Sequence, residues 1–227
     1  MTRTPLVPGS TDSELALEEV HLAANKVFTS PEPGSDTLLF CASGGGLLAL
    51  AGQTHRLGRR TAGLVLAGES ATLTAGGDGL VLVAATTGPG ADRHAPLGPR
   101  EIVVALDDTG EGHATGARSF QILFGPHNGS TRATLFMGFV PPGKAPWHYH
   151  LYDEIVWIPG GPGRLHRANE VEDLGQGSAF RLRPRELHIV ENTGSGVLEV
   201  LGVFTPAGSP SAAYLTPDVA DSYAFAG

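Results

Sequence analysis

Residues 143–161 read GKAPWHYHLYDEIVWIPGG, and they join a strand signal to a cluster of ligand-type side chains. His148 and His150 are two apart, so on a strand both side chains point to one face. Glu154 returns a carboxylate to that face after Leu151-Tyr152-Asp153, and the apolar run Ile155-Val156-Trp157-Ile158 continues until Pro159-Gly160-Gly161 stops it. A separate strand-like piece just past Pro184 carries His188 and Asn192. Three imidazoles and one carboxylate, His148, His150, Glu154 and His188, suit one divalent first-row metal and leave one or two positions open for water, dioxygen or substrate. An open position separates a reactive site from a structural one. Asn192 reads as a turn former at a strand end rather than as a ligand.

Outward from this stretch the chain is β-like. Its 227 residues include 32 glycines and 17 prolines, which favours many turns and short strands over long helices. Residues 1–28 are polar at first, then mildly periodic through Leu15, Leu17, Val20 and Leu22, a pattern that fits either a short helix or a first strand. From Asp36 the runs TLLFCAS, LLALAG, AGLVLAG and GLVLVAATT are strand-length and separated by glycine-rich turns. Gly44-Gly45-Gly46 precedes neither a helix-forming segment nor a Gly-Lys-Ser/Thr ending, so it predicts a tight hairpin and not a phosphate loop. TGPGADRHAPLGP, residues 87–99, reads as a linker. Beyond it, Asn128-Gly129 between SFQILFG and TRATLFMGFV predicts a tight type I′ hairpin with His127 exposed. Asn128-Gly129-Ser130 also matches a glycosylation acceptor, which carries little weight beside the turn.

The formal charge is −8, and only Lys26 and Lys144 are lysines among 15 basic residues. No basic stripe is available for phosphates, which argues against nucleic acid as a partner. The single cysteine, Cys41 in the apolar run LLFC, rules out an internal disulfide framework and a Cys-rich zinc site, and reads as a small buried thiol. The opening MTRTPLVPGSTDSELAL lacks a signal-peptide pattern, and no apolar run approaches the roughly 18 residues needed to span a bilayer. A cytoplasmic protein with no membrane partner is the expectation.

The chain also looks internally repeated. DTLLFCASGGG from Asp36 aligns with DEIVWIPGGPG from Asp153, an offset of 154 − 37 = 117. LVLAGESATLTAGGDGLVLV aligns with FRLRPRELHIVENTGSGVLEVL and pairs Thr72 with His188, an offset of 188 − 72 = 116. In this register His148, His150, Glu154 and His188 fall on Pro31, Pro33, Thr37 and Thr72, none of them a useful ligand. One metal per chain is expected.

Gly143, four residues, His148-x-His150, three residues, Glu154, five residues and Gly160 resemble the first motif of the cupin superfamily, whose glycine-to-histidine gap is usually five. Gly177 through Pro184, then His188, three residues and Asn192, resemble the second. That motif usually reads Pro-x-Gly-x-x-His, whereas Pro184-Arg185-Glu186-Leu187-His188 is one residue shorter and lacks the glycine. The resemblance implies an all-β fold of two tandem cupin-type jelly-roll β-barrels, the N-terminal one degenerate. The divisions would be a lead segment at 1–28, a degenerate barrel at 29–88, a linker at 89–99, a metal-binding barrel at 100–207 and a tail at 208–227. It implies His148, His150, Glu154 and His188 as ligands to iron, manganese or nickel, with zinc less favoured.

The function expected from this resemblance is a mononuclear-metal dioxygenase acting on a small organic substrate, with Glu154 as its catalytic residue. The alternatives are a metal-dependent isomerase or lyase that uses no O2, and a non-catalytic small-ligand-binding cupin. Either a monomer or a homodimer is compatible. A pocket lined by Phe136, Val156, Ile158 and Val190 should be apolar. Tyr149, of opposite parity to the histidines, should face away from the metal. Arg164 and His166 would line the barrel or sit in water; Arg181, Arg183 and Arg185 read as a solvated face in preference to an anion site. Tyr214, Tyr223 and Phe225 are available to pack back on a sheet.

Overall fold

The structure is a computed structural model that describes residues 1–11, 13–29, 34–114 and 117–215. Pro31, Pro33, Tyr223 and Phe225 lie outside the described residues. The first half contributes β1 (Thr2–Val7), β2 (Ala16–Leu22), β3 (Val27–Thr29), β4 (Asp36–Leu50), β5 (Gln53–Gly58), β6 (Thr61–Val65), β7 (Ala71–Thr87) and β8 (Val103–Ala105). The second half contributes β9 (Glu111–His113), β10 (Ser119–Phe124), β11 (Thr134–Val140), β12 (Gly143–Lys144), β13 (His148–His150) and β14 (Asp153–Trp157). It continues with β15 (Gly163–Arg167), β16 (Glu170–Leu174), β17 (Ala179–Leu182), β18 (His188–Asn192), β19 (Leu198–Thr205) and β20 (Ala213–Leu215). The fold is all-β, and among the described residues all strand pairs are antiparallel. Among the described residues no helix is long and apolar enough to cross a membrane.

The first half forms one eight-stranded sheet in the order β1-β2-β7-β4-β6-β8, with β3 on β7 and β5 on β4. The second half forms two six-stranded sheets, β17-β14-β19-β11-β10-β9 and β16-β15-β18-β13-β20 with β12 on β18. Three apolar layers follow from the strand period of two. Leu39, Cys41, Leu48, Leu73 and Leu82 fill the interior of the first half. Val156, Ile158, Leu165, Val190 and Val200 fill part of the second. The alternate residues, Leu38, Phe40 and Val83 from one half and Met137, Ile155, Trp157 and Val203 from the other, meet in a core between the halves. Strands buried on both faces read as continuous apolar runs, which is why DEIVWI and LLFCA show no polar alternation.

The lead segment is strand, not helix. Leu15 and Leu17 join the core between the halves while Val20 and Leu22 join the first-half interior, the two-sided division of an extended chain. The glycine triplet does not turn a hairpin: Gly44–Gly46 lies inside the 15-residue β4, with one register shift just before it at Cys41/Ser43 and another within it at Gly44/Gly46. Gly44 has φ +72°, and a Cβ on Gly46 would collide with the Thr74 carbonyl, so this is a bulged bend where two strands pass too closely for side chains.

β10 and β11 do form a hairpin, but its connection is wider than a two-residue turn. A 3-10 turn at Pro126–Asn128 is followed by Gly129 at φ +105°; of the Asn-Gly pair only the glycine has positive φ. Asn128 is buried; its Oδ1 accepts from the Gly125 N–H at 2.9 Å, and its Nδ2 donates to the Leu123 carbonyl at 2.8 Å and to Glu101 Oε2 at 3.0 Å. The amide thus organises the loop from within. His127 is exposed.

Sheet register gives the two halves a common plan. Thr37 of β4 pairs with Val65 and Thr86, as Glu154 of β14 pairs with Leu182 and Phe204. Thr72 pairs with Ala49 and Thr29, as His188 pairs with Arg167 and His148. The strand register therefore sets Thr29, rather than Pro31, at the place His148 occupies.

Candidate metal centre

The four expected ligands line one cavity of about 80 Å³ in the second half. His148 and His150 project from β13, and His188 stands opposite His148 on β18 in the same sheet. Glu154 comes from the other sheet, on the face of β14 that also carries Val156. The chain reverses through Leu151-Tyr152 between them, so a local sequence cluster becomes a set drawn from facing sheets. All four side chains are buried.

Each imidazole is anchored through Nδ1 to a main-chain carbonyl two residues away: His148 to Pro146 at 2.9 Å, His150 to Tyr152 at 3.0 Å and His188 to Glu186 at 2.8 Å. An Nδ1–H donating to a carbonyl leaves Nε2 with its lone pair free, the tautomer a metal ligand requires. The rings face one another, with centroids 4.4 Å apart for His148 and His188 and 5.0 Å for His150 and His188. His150 Nε2 is 2.9 Å from Glu154 Oε2, yet it is a buried nitrogen without a hydrogen-bond partner, because the geometry is wrong for one. Two ligands of one ion at bond lengths of about 2.1 Å and a right angle stand about 3 Å apart.

Among the described residues no group of three or more His, Cys, Asp or Glu side chains is placed so as to hold a metal ion. The donor chemistry nevertheless fits one: three Nδ1-anchored imidazoles, an orphaned Nε2 and a carboxylate around a shared space. Arg118 Nη1 reaches 3.3 Å from His148 Nε2. A guanidinium has only donors, so this contact also requires a bare Nε2 on His148.

Burial holds His148 far below the ordinary imidazole range, at about 2, with the Arg118 and His188 charges adding to the effect. Burial likewise lowers His188 to about 4. Burial opposes the charge on His150 too, but the neighbouring Glu154 carboxylate outweighs it and the net shift is upward. Burial and Glu154 push the Tyr152 phenol well above its usual range, so it stays neutral. Tyr152 stacks on His150 at 4.2 Å and on Phe204 at 3.9 Å between ring centroids, fixing the plane of the His150 ring.

These shifts have a consequence for stability. A histidine depressed in the folded state stabilises it above the unfolded pKa, near 6.5, and that contribution is lost as pH falls toward the folded value. For His188 the full effect is about 3 kcal/mol; His150, shifted upward, offsets part of it. Chelator-treated protein is therefore expected to melt at progressively lower temperature from pH 6.5 to pH 4, with a shallower slope in His188→Gln. A flat profile would contradict the burial described here.

The other expected positions divide. Val156, Val190 and Phe136 line the cavity, whereas Ile158 lies deeper in the core. Tyr149 points away and stacks on Tyr214 at 5.4 Å. Neither Arg164 nor His166 lines the barrel: Arg164 pairs with Asp173 at the surface, and the buried His166 bonds Glu191 at 2.6 Å, while Leu165 between them faces the core. Arg181 is not solvated. It bonds Asp153 at 2.6 Å and the Pro8 and Leu15 carbonyls at 3.0 and 2.6 Å, tying the lead segment to the residue before Glu154. Arg183 and Arg185 are exposed, and Arg185, where the family motif has its glycine nearby, holds φ +66° while its N–H donates to the His150 carbonyl at 2.7 Å. Asn192 bonds the Val140 and Gly196 carbonyls and the Gly194 N–H, a turn former as expected. Cys41 is buried, and burial pushes its thiol up to about 11.

Arg118, Tyr152 and Gly202 were not singled out by the sequence. Arg118 is thirty residues from His148 with no motif around it. Gly202, on β19, is where a Cβ would meet the Phe136 ring and stand 2.9 Å from Glu154 Oε1. Its only sequence signal is a glycine inside the apolar run VLGVF.

Residues 135–204 match the family model described as Cupin domain. The match takes in His148, His150, Glu154 and His188. Among solved structures, a mutant of Bacillus subtilis oxalate decarboxylase OxdC superposes with a TM-score of 0.73 at 13% identity, over 89% of this chain and 71% of that one. The formate complex of Lactobacillus farciminis oxalate decarboxylase gives 0.74 at 13%, over 92% and 81%. AerE from Microcystis aeruginosa gives 0.72 at 14%, over 90% and 97%. At such identities the likeness shows a shared all-β fold across most of the chain, while the family match itself lies in the second half. No curated relative matches the sequence.

Proposed function

We propose that the chain is a metal-dependent cupin enzyme that holds one divalent transition metal through His148, His150, Glu154 and His188 and acts on a small organic molecule in the adjoining cavity. The observation that carries this reading is the common orientation of three buried imidazoles, each with Nδ1 held by a backbone carbonyl. Iron, manganese and nickel are the favoured ions, and the Mn(II) centres of the similar Bacillus subtilis oxalate decarboxylase add support for manganese. A bound ion supplies Lewis acidity and, if redox-active, electron transfer. The protein's part is to orient the ligand rings through Pro146, Tyr152 and Glu186, to exclude water with Phe120 and Phe136, and to present Glu154 as the carboxylate nearest the reacting groups. The first half is read as a second barrel of the same plan whose interior is packed with leucines in place of ligands.

Two chemistries share this ligand set. A dioxygenase uses the open positions for substrate and O2; a lyase or isomerase uses the metal as Lewis acid alone. The second reading gains from the decarboxylases among the similar structures. Elemental analysis of protein purified without chelator is expected to find about one metal per chain, and none after His148→Ala with His150→Ala; no metal in the parent protein would sink the proposal. Turnover under strict anaerobiosis would exclude the dioxygenase, and oxygen uptake that tracks substrate consumption would exclude the lyase.

A further inference from the structure

We propose that the lead segment sets the metal site from outside the barrel: Ser13 and Arg181, both bonded to Asp153, are positioning residues for Glu154. This rests on the metal-enzyme reading and adds to it residues that do not line the cavity. Each histidine of the set has its ring held by a main-chain carbonyl. Among the described residues no main-chain group does the same for the Glu154 carboxylate. Its aim therefore follows from the backbone of β14 and from what holds that backbone.

Asp153 is the first residue of β14, buried, and stands on the face opposite Glu154, the face on which Ile155 and Trp157 enter the core between the halves. Its Oδ2 accepts from the Ser13 hydroxyl and, at 2.6 Å, from Arg181 Nη1. Arg181 Nη2 donates in turn to the Pro8 and Leu15 carbonyls at 3.0 and 2.6 Å. Ser13 is itself held in place: its Oγ accepts from the Leu15 N–H at 3.2 Å, and two backbone bonds with Ser10, of 2.8 and 3.2 Å, close the loop around it. Hydrogen bonds to an ionised carboxylate are short and directional, so this cluster clamps Pro8, Ser13 and Leu15 to the start of β14. His148, His150 and His188 belong to β13 and β18 of the other sheet. A shift at Asp153 would thus move the Glu154 carboxylate against three rings that stay where they are. The carboxylate meets them closely, 2.9 Å from His150 Nε2, and a displacement of about an ångström would break a bond of about 2.1 Å to a shared ion.

The test uses the full chain, freed of metal and titrated with Zn(II) in competition with a chromogenic chelator, because three imidazoles hold zinc even without a carboxylate. Ser13→Ala and Arg181→Met are each expected to lose about tenfold in Zn(II) affinity, the scale of loss when a group that orients a ligand is removed. In a Glu154→Ala background the same substitutions should change the affinity by roughly twofold or less, since a positioning effect vanishes with the residue it positions. A merely structural loss would recur there at full size. Ser13→Ala removes a single hydroxyl, so it carries the test if Arg181→Met does not fold. Parent-like Zn(II) affinity in Ser13→Ala, or an equal loss with and without Glu154, overturns the inference and leaves the metal reading standing. A parent that binds no Zn(II), or whose binding survives His148→Ala with His150→Ala, overturns both.

Discussion

Gly202→Ala is expected to disable the site while leaving the barrel folded. Gly202 faces inward between Val200 and Phe204, and the added methyl would run into the Phe136 ring and sit 2.9 Å from Glu154 Oε1. Flanking strands hold its backbone on both sides, with β11 pairing Phe136 and β14 pairing Val156, so the strand has little room to retreat. Overpacking of this kind costs about 1–3 kcal/mol. Relief by movement of Phe136 would close the apolar wall, and relief by movement of Glu154 would withdraw the carboxylate from His150. Metal per chain should fall well below that of the parent, and melting should drop by several degrees. Gly160→Ala, in the same barrel but with open space around its Cβ, should change neither. Full metal content in Gly202→Ala would show that Glu154 is not held where this packing puts it.

Arg132→Ala is expected to be the most destabilising single truncation outside the site. Arg132 Nη1 bonds Asp36 Oδ1 at 3.1 Å, both side chains are buried, and the pair joins β4 of the first half to the segment entering β11 of the second. Removing the guanidinium strands a buried carboxylate whose remaining partner is the Ala67 N–H at 2.8 Å. Breaking a buried pair from one side costs about 3–5 kcal/mol, a large part of the 5–15 kcal/mol typical of a folded domain. Replacing both partners with apolar residues, Asp36→Leu with Arg132→Met, should recover much of the loss, because no charge is then left unpaired. Denaturant unfolding of the two variants distinguishes these outcomes; a single variant within 1 kcal/mol of the parent would show that the pair does not hold the halves together.

Much of the candidate site is legible in the sequence. His148-x-His150, Glu154 and His188 are visible because a strand's period of two makes local spacing equivalent to a shared face, and the anchoring carbonyls at Pro146, Tyr152 and Glu186 lie within two residues of their rings. The internal repeat was visible too, although its register near the ligands slipped by two, from Thr29 to Pro31, since gaps in loops leave no periodicity to count. Local reading failed where one element answers to a distant one. Gly44–Gly46 looks like a turn in isolation and is a bend because β7 crosses it. Asn128-Gly129 looks like a two-residue hairpin until the buried Asn128 amide is seen bonding Leu123 and Glu101. Arg181 alternates with exposed arginines, yet the lead segment folds back over it and supplies two carbonyls.

The sequence by itself determined the β class, the ligand-type cluster and its likeness to cupins, because each depends on side-chain spacing within a single strand or motif. Tertiary structure alone decided that His148 and His150 of β13 meet Glu154 of β14 across one cavity, that Arg118 meets His148, and that position 202 admits no side chain. Those features are distances between segments far apart in the chain, set by how two twisted sheets pack, and no local periodicity encodes them.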